Sequence, residues 1–160
     1  MKEEATLCNG FEALYLAAID SDVTLITGVP GYPVTSLMEL FLKTDNSSTE
    51  TDNSSTKTDH SSTNAHSSTY RARWLTNEKV ALEIALGASV SGKRALVLVK
   101  HVGMNLLSDP LITSVTHTIG AGLVIIAGDD PGVKGSQNEQ DSRWYGLSLI
   151  HISEPTRQEA

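Results

Sequence analysis

The chain has 160 residues, a hydrophobic fraction of 39% and a formal charge of −7 at pH 7. These figures suit one modest domain rather than two independent cores, and the acidic balance argues against a general nucleic-acid binder. Cys8 is the only cysteine, which excludes an internal disulfide and a cysteine-ligated zinc or iron–sulfur centre within the chain.

The N-terminal MKEEATLCNG has no signal-peptide core, and no apolar run approaches the roughly 20 residues of a membrane span. A soluble cytoplasmic protein is expected. Asn9 followed by Glu12 is a capping-box start, which predicts a helix over residues 11–19. Residues 23–27 read as a short strand running into Gly28-Val29-Pro30-Gly31-Tyr32-Pro33. Val34, Leu37, Met38 and Phe41 have helical spacing and predict a helix over residues 34–42.

Residues 44–69 then break the pattern with a seven-residue polar repeat, TDNSSTE, TDNSSTK, TDHSSTN. The heptad is not a coiled coil, because Ala65 is the only apolar side chain in the tract and no position repeats one. With nothing to bury it cannot offset the entropy of ordering, so a disordered insert is expected. Past it, residues 71–75 read as a strand and residues 77–91 as a helix stopped by Gly92. Residues 95–99 and 122–127 are continuous apolar runs. Such runs indicate strands buried on both faces, hence a parallel sheet covered by helices. His117, between Thr116 and Thr118, reads as structural.

The last stretch, from Leu149 to Gln158, reads as neither a helix face nor a buried strand and looks like a translated sequencing adapter. Residues 1–146 are therefore expected to form one α/β domain interrupted at 44–69. Residues 147–160 are expected to be a non-native tail. The predicted fold is an open, mostly parallel sheet with helices on both faces. In such sheets ligands sit at the carboxyl ends of the strands, here residues 28–33, 76–78, 100–105 and 129–140.

Those ends hold the residues with chemical potential. Glu78 lies in the first turn of a helix, where a carboxylate gains ~0.3–1 kcal/mol from the macrodipole. The same place also suits a partly desolvated carboxyl that shares a proton with a ligand. Lys100 and His101 offer donors, and Gly103 allows close backbone approach, though a strand end reaching water with a glycine turn explains them equally. The 28–33 segment has the spacing of neither G-x-G-x-x-G nor a P-loop. No metal-ligand spacing is present.

Three segments in order, Asn77-Glu78-Lys79-Val80-Ala81-Leu82-Glu83, Lys100-His101-Val102-Gly103-Met104-Asn105, and Asp129-Asp130-Pro131-Gly132 leading to Ser136-Gln137-Asn138-Glu139-Gln140-Asp141-Ser142-Arg143, resemble one family. They are similar to the alpha subunit of indolepyruvate ferredoxin oxidoreductase, a thiamine-diphosphate-dependent 2-oxoacid:ferredoxin oxidoreductase, over its N-terminal pyrimidine-binding domain. The resemblance implies oxidative decarboxylation of aryl 2-oxo acids to acyl-CoA, with electrons passed to ferredoxin. It implies that Glu78 hydrogen-bonds N1′ of the aminopyrimidine and so prepares the cofactor to lose its C2 proton. It also implies that Lys100, His101 and Gly103 line the cofactor pocket.

The family usually reads Gly-Tyr-Pro-Gly-Thr-Pro where this chain has Gly28-Val29-Pro30-Gly31-Tyr32-Pro33. Tyr32 thus stands where a threonine is expected near the substrate, which puts the substrate range in question. Magnesium, the cofactor's diphosphate and the [4Fe-4S] clusters belong to other domains of the subunit. A beta subunit, ferredoxin, coenzyme A and the 2-oxo acid are the implied partners. The isolated chain is expected to be inactive. A non-catalytic α/β binding or assembly module is the alternative that the residues alone leave open.

Overall fold

The computed structural model describes residues 7–47, 70–116, 120–132 and 134–153. Among the described residues four strands and five helices alternate: α1 (Gly10–Asp20), β1 (Val23–Gly28), α2 (Val34–Ser47), β2 (Arg71–Trp74), α3 (Glu78–Val90), β3 (Arg94–Lys100), α4 (His101–Thr116), β4 (Leu123–Gly128) and α5 (Arg143–Ser153). The strands form one sheet in the order β2-β1-β3-β4, and every pairing is parallel.

Alternation along β3 sorts the core into two layers. Leu96 and Leu98 pack with Ile26, Ala72 and the α2 residues Val34, Leu37, Met38 and Phe41. Ala95, Val97 and Val99 pack on the other face with Ala81, Leu82 and Ala85 of α3 and Met104 and Leu107 of α4. Helices therefore cover both faces, as the continuous apolar runs predict. Val97, Leu98 and Val99 are fully buried, each contributing roughly 1.5–3 kcal/mol of transfer free energy.

Local signals fix several ends. Asn9 caps α1 through its side chain while Glu12 reaches back to the Asn9 amide at 2.8 Å, the capping box expected. Asn77 caps α3, its side chain accepting from the Lys79 amide at 2.8 Å. Gly92 ends the connection from α3 at a φ of 80°, a conformation glycine adopts without steric cost.

Four expectations need correction. The 122–127 run forms β4, yet Val124 is 58% exposed, because β4 lies at a sheet edge among the described residues. No glycine turn separates β3 from the next element: the strand ends at Lys100 and α4 starts at His101. Helix α2 continues to Ser47, so the first residues of the polar repeat are helical. They are tied back to the fold, Thr44 donating to the Leu40 carbonyl and Asp45 accepting from the Ala72 amide. Finally, the stretch from Leu149, read as neither a helix face nor a buried strand, continues α5 to Ser153. The disorder expected of residues 48–69, the reading of His117 and the tail beyond residue 153 fall outside the described residues.

Candidate functional site

The strand order places a topological switch between β1 and β3. The chain leaves β1 for α2 on one face and leaves β3 for α4 on the other. At such a point the carboxyl ends of neighbouring strands open a crevice where ligands bind. Here the switch falls where residues 28–33 meet the Lys100–His101 junction.

Residues 28–33 run across these strand ends in close contact. The Val29 amide donates to the Leu98 carbonyl at 3.3 Å. A β-carbon on Gly31 would stand 3.1 Å from the Lys100 Cβ, and one on Gly128 would stand 2.7 Å from the Pro33 Cδ. The segment thus lies over the ends of β3 and β4 only because glycines occur at both contacts. Tyr32 is 73% exposed on this segment, and the stem of Lys100 packs against Gly31.

Glu78 is the first residue of α3 and is half-buried. Gly103, in the first turn of α4, faces it: a β-carbon there would lie 2.7 Å from the Glu78 Cγ and 2.8 Å from Oε1. Sequence suggests that Gly103 lets a ligand approach the backbone. What approaches it in the structure is the glutamate itself. Among the described residues no hydrogen bond or ion pair engages the Glu78 carboxyl. Its neighbour Lys79 is paired with Asp109 at 2.6 Å, a contact that raises the lysine's pKa. Helix α3 is anchored beneath by Thr27, whose buried hydroxyl donates to the Ala81 carbonyl at 2.9 Å.

His101 is fully buried. Its Nε2 lies 2.9 Å from the Asn138 carbonyl, and its own carbonyl accepts from the Gln140 side chain at 2.8 Å. The polar segment following Gly132 is therefore fastened to the start of α4. Asp129 completes the arrangement by accepting from the Ser142 amide and hydroxyl just before α5. The Asp129 and Gln140 contacts have no signal in the sequence, where both residues look like turn and surface polarity.

Glu78, Gly103, His101, Lys100 and Gly31 thus gather around the carboxyl ends of β1 and β3, with Tyr32 at the exposed margin. Glu78 presents a half-buried carboxyl, packed against Gly103, with no hydrogen-bond or ion-pair partner among the described residues. Among the described residues, no three His, Cys, Asp or Glu side chains cluster as metal ligands do.

No protein-family model matches the chain, and no solved structure matches it. Curated relatives do. The chain is 34% identical over 148 residues to indolepyruvate oxidoreductase subunit IorA of Archaeoglobus fulgidus, covering 92% of this chain and 21% of that protein. It is 33% identical over 154 residues to the subunit of the same name from Thermococcus kodakarensis, covering 96% of this chain and 21% of that protein. The Methanothermobacter thermautotrophicus subunit is 44% identical over 81 residues, 50% of this chain and 13% of that protein. The chain spans about a fifth of the length of the first two relatives. The resemblance carried by the three motifs accordingly extends along nearly all of it.

Proposed function

We propose that this chain is the segment of an IorA-type subunit that holds the aminopyrimidine half of thiamine diphosphate. The enzyme would oxidatively decarboxylate aryl 2-oxo acids such as indolepyruvate, forming an acyl-CoA and passing two electrons singly to ferredoxin through iron–sulfur clusters. The observation that carries this reading is Glu78, an unengaged half-buried carboxyl set against Gly103 beside the switch between β1 and β3. The relatives, named as indolepyruvate oxidoreductase subunits, support the oxidoreductase class.

When bound, thiamine diphosphate supplies the electron sink that lets a 2-oxo acid lose carbon dioxide. The protein's part is placement and proton control. Glu78 holds a proton at the N1′ position of the ring, a task that requires a carboxyl within hydrogen-bond reach and partly shielded from water. Gly103 leaves room for that carboxyl. Lys100 lines the crevice from the end of β3, and Tyr32 borders the side open to substrate. His101 stands behind this surface and supports it. The diphosphate, its magnesium and the iron–sulfur clusters are left to other domains of the subunit; cluster ligation needs cysteines, and Cys8 is this chain's only one.

Glu78→Gln in the full-length subunit, assembled with its partner, tests this role. A loss of about 10²–10⁴-fold in kcat for indolepyruvate oxidation is expected, with thiamine diphosphate still bound. Unchanged turnover would favour a non-catalytic binding or assembly role for the segment.

A further inference from the structure

His101 joins the start of α4 to a segment more than 30 positions away. It contacts the 136–140 segment twice, through ring Nε2 to the Asn138 carbonyl and through its own carbonyl, which accepts from the Gln140 side-chain Nε2. A carbonyl can only accept, so Nε2 carries the proton. The Ser136 hydroxyl also lies 3.5 Å from the same nitrogen. The ring is fully buried and Nδ1 has no partner among the described residues. Nε2 is therefore the donor that fastens the segment.

The fastened segment walls a cavity of about 450 Å³ at the carboxyl end of β4, lined by Asp129, Pro131, Glu139, Gln140, Asp141 and Arg143. The polar side chains of this wall already have partners. Asp129 holds Ser142, Glu139 accepts from the Gly132 amide, Gln140 donates to His101 and Asp141 pairs with Arg143. Such a wall is pre-set rather than waiting for a ligand to order it. His101 is also only two residues before Gly103, on the same first turn of α4.

We propose that His101 is a positioning residue: through its Nε2–H it clamps the 136–140 segment and fixes both the wall of this cavity and the α4 turn that faces Glu78. Only the consequence for Glu78 rests on the cofactor reading. The clamp itself needs no cofactor, so its test separates the two.

The experiment uses the 160-residue chain with ¹⁵N-labelled histidine and amide hydrogen exchange over residues 136–142. Imidazole shifts should show His101 with the proton on Nε2 at pH 7. His101→Phe should speed exchange of those amides by at least about fivefold, the worth of a lost hydrogen bond. His101→Gln, whose amide nitrogen can still donate to Asn138, should restore slow exchange. A ring without a proton on Nε2, or unchanged exchange in His101→Phe, would each overturn the clamp. If His101→Phe does not fold, the tautomer and the Gln variant decide: a protected segment in His101→Gln supports the clamp and a loosened one rejects it.

Discussion

Gly103 and Glu78, 25 positions apart in the chain, occupy one contact: a β-carbon on the glycine would stand 2.7 Å from the glutamate's Cγ. The first turns of α3 and α4 are thereby paired so that one contributes a carboxyl and the other an absence. This pairing gives Glu78 its place.

Gly103→Ala should separate site from stability. Alanine favours the helix by roughly 0.5–1 kcal/mol over glycine, which offsets part of the crowding, and the Glu78 side chain is free to swing away. Denaturant unfolding should shift by less than about 1 kcal/mol, while oxidation by the assembled full-length enzyme falls at least about tenfold. A loss of stability without loss of activity would show that the glycine serves packing alone.

Tyr70 links stability to alkaline pH. Burial, and then the neighbouring Tyr15 hydroxyl, raise its pKa above the ordinary 10.0, and its hydroxyl donates to the Phe41 carbonyl at 3.0 Å. A pKa raised on folding means that the unfolded chain loses the proton first. The stabilisation is therefore complete below pH 10 and is lost as the pH rises beyond it. Unfolding curves across this range should show declining stability, and Tyr70→Phe should lessen the slope. Equal stability of the native chain well below and well above pH 10 would rule this linkage out.

Tyr32→Thr should leave stability within about 0.5 kcal/mol, as expected of a residue 73% exposed. If Tyr32 borders substrate as proposed, the ratio of kcat/KM between indolepyruvate and a smaller 2-oxo acid should change in the full-length subunit. An unaltered ratio would place Tyr32 away from substrate.

On the proposed function the 160-residue chain holds the pyrimidine half only, so alone it should bind thiamine diphosphate with a Kd above about 1 mM. Calorimetry showing micromolar binding would mean that the site is more complete than described.

The apolar runs make the sheet legible in the sequence, since β3 alternates its side chains into two cores and tolerates nothing polar in either. Asn9, Asn77 and Gly92 announce helix ends because capping is a local event. The edge position of β4 is not legible: an edge strand and a central one can share the same apolar run, and only the neighbouring strands distinguish them. Nor is the helix in the first residues of the repeat, where Asp45 holds the Ala72 amide across a gap of 27 positions. At the site, Glu78 is visible as a carboxyl in the right kind of turn. Its contact with Gly103 and the burial of His101 are not, because both depend on how two helices and a distant segment meet.

Control of the N1′ proton by Glu78 can be read from the rate at which thiamine diphosphate, bound to the assembled full-length enzyme, exchanges its C2 proton for deuterium. In Glu78→Gln this exchange is expected to slow by about 10²–10⁴-fold while the cofactor stays bound. Exchange at the native rate in the variant would contradict a role for Glu78 in that proton transfer.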